Sequence, residues 1–493
     1  MGIARFAVTV LLLLGLFAPP AAASGFENTG IGTYARGMGG AFRAIANDWT
    51  AAHYNPAGYA FILDNQLGGT GGLLHNRHEL TPNYWYRDDQ DNTYRNGILN
   101  GSTLFNRHDI MFNPSAGFIV RMPIWGEMVF GLSVYQPFDY AVSWQLYDPS
   151  GAGFRSYNEE ASSYLPDNEY LTDLDVVAFQ LTAAREFVPE QLSLGLGLQL
   201  LRADLMFNDV ILRPNPRSGI VAERPRDYIP ELTRNDGSGW GFGLTAGMMW
   251  KPIERLSVGV NARLPFDITI DGTTMLMYIL PKNNWVKKEA GDLNTVDYLF
   301  ASGTVLALVG DMRAELALPP SIAGGIAFDL TQRLTIAVDA EYTLWSQYEG
   351  LAFTYSDFAK PQSIFVDSIM DFFSADMSRK AVWENAGKVM AGAKYEPVDF
   401  LTLLGGVSVD QSPMRNTAER IPQFVDTGDK YGFNLGFVAH VEQWDIGLIT
   451  SYFAYPDLQT PLVDVDNDGL DDSFPGDYKA ATYETVLSLN YRF

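Results

Sequence analysis

The chain has 493 residues, of which 47% are hydrophobic and only 19% charged, with 46 Gly, 25 Tyr, 30 Phe, 10 Trp and no Cys. Lys plus Arg number 34 against 58 Asp plus Glu, a formal net charge of −24, which argues against a nucleic-acid binder because phosphate attraction needs a basic surface. Without Cys there is no disulfide, thiolate metal site or thiol nucleophile, and the apolar fraction is too high for a disordered acidic chain.

Residues 1–23 read as a secretory signal. Arg5 supplies the positive start, Phe6–Ala18 the apolar stretch, Pro19 and Pro20 the break, and Ala21-Ala22-Ala23 an A-x-A cleavage site before Ser24. The apolar stretch is shorter than the roughly 20 residues a helical span requires, so cleavage is expected in preference to anchoring. No later segment offers about 18 uninterrupted apolar residues, so no helical span is expected.

Residues 24–64 lack period-two alternation. Met38, Ala41, Phe42 and Ile45 recur at helical spacing and predict a helix. Asn47 and Asp48 can stop it and cap a second helical stretch near 49–54. That stretch must end at Asn55, because a residue before proline is pushed to extended geometry. A small N-terminal helical hatch, or plug, is expected here.

From residue 65 onward the period is two. Leu192, Leu194, Leu196, Leu198 and Leu200 alternate with Ser193, Gly195, Gly197 and Gln199, and Leu256–Arg263, Leu334–Leu344 and Tyr431–Val441 repeat the pattern. Fourteen strands are predicted, near 65–77, 110–122, 127–144, 171–186, 191–206, 239–251, 255–270, 315–329, 332–347, 386–396, 399–411, 429–441, 444–455 and 480–493. A secreted soluble sandwich would alternate as well. The connections separate the two: long polar stretches follow the odd strands, and tight turns such as Glu442-Gln443 follow the even ones, the mark of an outer-membrane barrel with an even strand count. The predicted fold is all-β, a transmembrane antiparallel β-barrel of about 14 strands over 65–493, plugged by the hatch. Tyr491 and the terminal Phe493 close an alternating final strand that resembles the assembly signal of Gram-negative outer-membrane proteins, which implies the barrel assembly machinery as a partner through Phe493. Trp144, Trp250, Tyr342, Trp444 and Tyr452 suit aromatic girdles. The expected location is the Gram-negative outer membrane, against lipid and lipopolysaccharide.

Gly37-Met38-Gly39-Gly40-Ala41-Phe42, Ala46-Asn47-Asp48 and Asn55-Pro56-Ala57-Gly58 resemble the hatch of the FadL-like (TodX-like) outer-membrane transporters of long-chain fatty acids and other hydrophobic compounds. Asn113–Trp144, the Leu318-Pro319 to Trp345-Ser346-Gln347 region and Val407–Pro413 extend the likeness over nearly all of the chain after the signal. PorV-like barrels of a secretion system start in a similar way, so a structural or interaction barrel is the alternative, with a plug-free diffusion porin a third. The resemblance implies passive transport: capture at outer loops, a lumen pocket, hatch rearrangement involving Asn55, Pro56 and Ala57, and lateral release at a kinked third strand.

Residues can be matched to each step. Met275, Leu276, Met277, Ile279, Leu280, Leu299, Phe300 and Leu306 put apolar surface in the 271–314 loop, for capture or for packing as a cap. Pro137 cannot donate to the ladder inside the third strand, which fits a lateral gate or an ordinary bulge. The resemblance puts Arg379, with Lys380 beside it, where the family has a basic pocket residue for a ligand carboxylate; a solvated loop charge is the alternative. The family's second basic position is Asp209 here, a departure that leaves neutral or aromatic cargo open. Asp464, Asp466, Asp468 and Asp472, with the Leu470 carbonyl, place hard oxygens at calcium-loop spacing, but Pro475 stands where a bidentate Glu would complete the loop. This is either a weak structural Ca²⁺ site or an acidic solvated loop. Five His and no G-x-S-x-G elbow give no nucleophile–base pair, so no enzyme and no other cofactor are expected.

Overall fold

The alternating segments close on themselves. In the computed structural model, which describes residues 25–83, 86–87, 93–94, 99–124, 127–146, 168–214, 228–280, 305–359, 373–381, 383–414, 421–424, 428–462 and 473–493, fourteen antiparallel strands form a closed barrel. These are β1 (Gln66–Pro82), β2 (Ile110–Met122), β3 (Met128–Trp144), β4 (Tyr170–Val188), β5 (Leu192–Pro214) and β6 (Tyr228–Ile253). Four interrupted strands follow: β7 (Leu256–Pro265 and Ile268–Ile279), β8 (Val305–Leu316 and Ser321–Thr331), β9 (Leu334–Thr343 and Gly350–Ser356) and β10 (Met377–Lys380 and Ala386–Val398). The wall ends with β11 (Leu401–Asp410), β12 (Lys430–Val441), β13 (Trp444–Ala454) and β14 (Gly476–Arg492). Closure is by β1 on β14, in register from Gln66↔Arg492 to Pro82↔Gly476.

The outward face of β6 shows where a bilayer would lie. Trp240 and Trp250 are both outward and about half exposed, and Phe242, Leu244 and Met248 stand exposed between them. That interval matches the roughly 9–11 residues of a tilted strand span. Beyond Trp240 the outward positions turn polar: Arg234 and Asp236 are exposed, and Arg313 Nε donates to exposed Asp271 at 2.7 Å. Several strands therefore run further than the sequence pattern predicts. Most of the described part of the expected 271–314 loop is strand, with β7 and β8 paired from Ile268↔Leu316 to Ile279↔Val305. Outside the apolar band the outward residues are charged and the inward ones apolar, so a pattern keyed to a lipid-facing apolar face stops at the girdle.

The hatch is less helical than expected. Its regular elements are α1 (Thr33–Gly37), α2 (Ala51–Tyr54) and a 3₁₀ turn at Pro56–Phe61. The helix predicted over Met38–Ile45 does not form: Gly39 (φ +67°) and Gly40 (φ +93°) are left-handed, and the stretch folds as successive turns. α2 ends at Asn55, extended at φ −163° before Pro56, with the Asn55 side chain accepting from Ala57 N.

Inward-facing glycines seat this segment. A Cβ at Gly195 would overlap the Pro56–Ala57 backbone, at Gly247 Asn55 and Pro56, at Gly259 Arg43, and at Gly392 or Gly406 Met38. Five strands thus approach the hatch backbone as only glycine allows, and the lower lumen is filled. Gly247→Leu is expected to destabilise the folded barrel by about 1–3 kcal/mol through overpacking. The measurement is the midpoint of its heat-modifiable gel transition; an unchanged midpoint would mean the Asn55 corner is not tightly seated.

Candidate lumen site and lateral gap

The wall is incomplete between β2 and β3. Their ladder ends at Ala116↔Val134, whereas β2 continues on β1 as far as His75↔Ile110 and β3 continues on β4 as far as Trp144↔Tyr170. Pro137 lies in the register shift between Tyr135 and Phe138. The β3 edge turned away from β4 is taken instead by the hatch's first residues. Glu27 bridges Phe138, Asn28 N donates to Pro137 O at 3.0 Å, Asp139 N donates to Phe26 O at 3.2 Å, and Asn28 Nδ2 donates to Gln136 O at 3.0 Å. Higher up, Arg107 N donates to Ser143 O and Ser143 N to Asn106 Oδ1. The gap therefore has a floor, a roof and a short non-covalent stopper. Register places it at the outer girdle, since Tyr135 pairs Ala178, Ala178 pairs Leu201 and Leu201 pairs Gly241, next to Trp240. On the outer wall just below lies an apolar groove of about 600 Å³ lined by Leu132, Val134, Phe179, Leu200, Phe242 and Phe266 among others.

Behind the gap is an aromatic chamber. The Phe26 ring lies 4.9 Å from Trp345, 5.2 Å from Tyr348, 5.8 Å from Phe138 and 5.9 Å from Trp383, centroid to centroid. Phe424 joins Trp383 to Tyr140, and all of these side chains are buried. Trp345 and Trp383 sit in the interruptions of β9 and β10, which turn them inward. Below, buried charges tie stopper to hatch. Glu27 pairs with Arg263, which also meets Glu341; Glu341 meets Arg43, whose guanidinium reaches Asp339 at 3.4 Å. Phe42 N and Arg43 N donate to Asp339 Oδ2 at 2.9 and 2.8 Å. Arg36 pairs with Glu484. His53 packs on Tyr54 and Tyr135, and burial holds its imidazole well below the usual value, hence neutral.

Of the apolar residues proposed for capture, three are brought together facing inward. Leu276, Leu280 and Leu306 are buried with Ile229, Tyr278, Leu308 and Phe373 as a roof, Ile279 is buried in the main apolar cluster, and Met275 and Met277 are half-buried. Arg379 Nε donates to Asp209 Oδ2 at 2.6 Å, and Gln423 Nε2 donates to Asp209 Oδ1 at 2.9 Å. The acidic departure at 209 is thus the partner of the basic residue. The backbone of Lys380 ends the upper segment of β10; its side chain, Leu299, Phe300, residues 1–24 and the Asp464, Asp466, Asp468, Leu470 and Asp472 set lie outside the described residues. Among the described residues, no cluster of three or more His, Asp or Glu is placed to hold a metal.

Sequence reasoning missed Phe26, Glu27, Arg43, Arg263 and the two tryptophans. A signal existed for part of this: Arg263, Asp339 and Glu341 are charges on the polar faces of β7 and β9 at membrane depth, where an unpaired charge is costly. It also missed a Thr402–His440–Asp445 relay, with Thr402 Oγ1 2.8 Å from His440 Nε2 and His440 Nδ1 2.6 Å from Asp445 Oδ1. Thr402 is fully buried, so this hydroxyl offers no access to a substrate.

Over residues 13–493 the chain matches the family described as outer membrane protein transport protein (OMPP1/FadL/TodX). Outer membrane protein P1 of Haemophilus influenzae is 24% identical over 294 residues, 54% of this chain and 52% of that protein. The chain spans about half the length of the curated relatives it matches. Among solved structures, a Pseudomonas aeruginosa FadL homologue superposes with a TM-score of 0.70 at 20% identity, covering 95% of this chain and 100% of that one. The P. putida toluene transporter TodX does so at 0.65 and 15%, covering 94% and 99%. At these identities the structures speak for the fold.

Proposed function

The chain belongs to the OMPP1/FadL/TodX family of outer membrane transport proteins, and from that premise we propose that it passes uncharged hydrophobic molecules across the outer membrane by passive diffusion and lateral release. Its place in the Gram-negative outer membrane follows from family and fold, and the family supports a hydrophobic compound as its cargo. Cargo enters under the Leu276–Leu306–Phe373 roof, reaches the aromatic chamber and leaves through the gap between β2 and β3. The observation that carries this route is the β3 edge above Val134, left by β2 and, among the described residues, bridged at Gln136–Asp139 by residues 26–28.

The energetics allow exchange. Two backbone hydrogen bonds are each worth about 0.5–1.5 kcal/mol net, and burying one Phe side chain about 1.5–3 kcal/mol. A cargo ring entering the chamber can replace Phe26 at similar gain, and Arg263 keeps Glu341 when Glu27 parts from it, so the stopper leaves without unfolding the barrel. Apolar solutes then meet the outer groove and the surrounding lipid, while the filled lower lumen bars a straight axial path. Neutral cargo is favoured over a fatty-acid carboxylate because Arg379 is already engaged by Asp209. A cleaved signal at 1–23, assembly through Phe493, contact with lipopolysaccharide, calcium on the 464–472 loop and the lack of enzymatic activity belong to this reading and rest on the sequence.

The test is uptake of a labelled aromatic hydrocarbon and a labelled long-chain fatty acid by a deletion strain with and without the chain. Hydrocarbon uptake is expected to depend on the chain more strongly than fatty-acid uptake. Indifference of both would overturn the proposal.

A further inference from the structure

Most of the upper lumen is apolar, but one patch of its wall is not. On the inward face of β6, Thr233 and Asn235 are at most 1% exposed while their outward neighbours Arg234 and Asp236 are solvent-exposed. Register sets Thr274 of β7 opposite Asn235, with Phe207 of β5 on its other side. The Tyr355 hydroxyl of β9 lies beside Asn235 and Thr274. Beyond the reach of the Tyr355 hydroxyl to Asn235 and Thr274, Thr233 Oγ1, Asn235 Oδ1 and Nδ2 and Thr274 Oγ1 complete no hydrogen bond among the described residues. Leaving buried donors and acceptors unmet is costly, and burying them in an apolar wall more so. Buried polar groups left unpaired are a recognised sign of a role other than packing.

Charge selects what can meet them. Asp209, in register with Thr233, is buried and holds the guanidinium of Arg379. Among the described side chains that guanidinium is the cation beside the patch, and it is already engaged, so an anionic head group gains no counter-ion there. The side walls are Phe207 and Phe353, 5.5 Å apart, with Leu276 and Met312. We propose that Thr233, Asn235, Thr274 and Tyr355 form a docking point for the hydroxyl of an otherwise apolar, uncharged cargo, a long-chain alcohol or alkylphenol. Asn235 offers both donor and acceptor, and the threonine and tyrosine hydroxyls rotate to suit, so one hydroxyl is satisfied in either role. The patch lies beyond Trp240 in the outer half of the barrel, where it reads cargo before the aromatic chamber. This rests on the transport reading above and adds the head group it selects.

The test compares uptake of labelled 1-dodecanol and dodecane by a deletion strain carrying the native chain, the Asn235→Leu/Thr274→Val variant, or the isosteric Thr274→Val alone. The native chain is expected to favour the alcohol by about tenfold at limiting concentration, as one added hydrogen bond gives. The double variant should lose that preference and keep dodecane uptake, and the single variant should fall between them. A heat-modifiable band in each strain shows that the barrel has assembled. If the native chain carries neither compound, the transport reading itself fails. If it carries both without preference, or if the preference survives both variants, the patch holds only water and this inference is overturned while transport stands.

Discussion

Oxidising a Glu27→Cys/Phe138→Cys pair should bring uptake of hydrophobic solutes down to the level of the deletion strain, and reduction should restore it. The two residues face each other as an antiparallel bridge, and such pairs hold their Cα atoms within reach of a disulfide. The chain has no cysteine of its own, so the new bond has no competitor. Glu27→Cys removes one partner of Arg263, which keeps Glu341, and Phe138→Cys removes one wall of the chamber. The reduced double variant carries both of those losses and is the reference. The whole effect of oxidation is then the locked stopper. Because a covalent bond replaces contacts worth a few kcal/mol, near-complete loss of uptake is expected. Undiminished uptake with the bond fully formed would sink the exit between β2 and β3.

Arg43→Ala is expected to be the most damaging single change in the hatch. Its guanidinium meets Asp339 and Glu341, and all three side chains are buried. Removing one partner of a buried ion pair leaves uncompensated charge at about 3–5 kcal/mol. The lower end applies, because Asp339 keeps the Phe42 and Arg43 backbone donors and Glu341 keeps Arg263. The loss should lower the unfolding midpoint. Freed from its anchor on β9, the hatch should also admit hydrophilic solutes, read as entry of a large antibiotic that native cells exclude. Since Glu341 also meets Arg263, and Arg263 meets Glu27, the change is expected to weaken the stopper too and raise hydrocarbon leakage. A variant with native stability and native permeability would show that the charged chain does not hold the hatch.

Sequence alone was sufficient for the class of the protein: strand count, loop asymmetry, the glycine-rich start, and the pattern of Leu192–Leu200 are all local signals, and alternation is one that a strand displays without knowledge of its neighbours. It was also enough to single out Pro137, since a missing donor inside a strand is visible in one letter. It misled where local signals changed meaning. The helical spacing of Met38–Ile45 yields to two left-handed glycines placed to meet β10 and β11. Leu276 and Leu306 read as greasy loop residues because the outward face beyond Trp240 is charged, and they prove to be inward-facing strand positions.

The site was legible in the folded chain alone. Phe26 meets Trp345 and Trp383, Glu27 meets Arg263, and Arg379 meets Asp209, across separations of hundreds of residues in most cases. No spacing along the chain encodes those encounters. They arise because closing fourteen strands at a given stagger sets which inward residues share a level, and because β3 bends from β2 at a point where the first residues of the hatch are free to pair. Alternation is a property of one strand, whereas a lumen is a property of register.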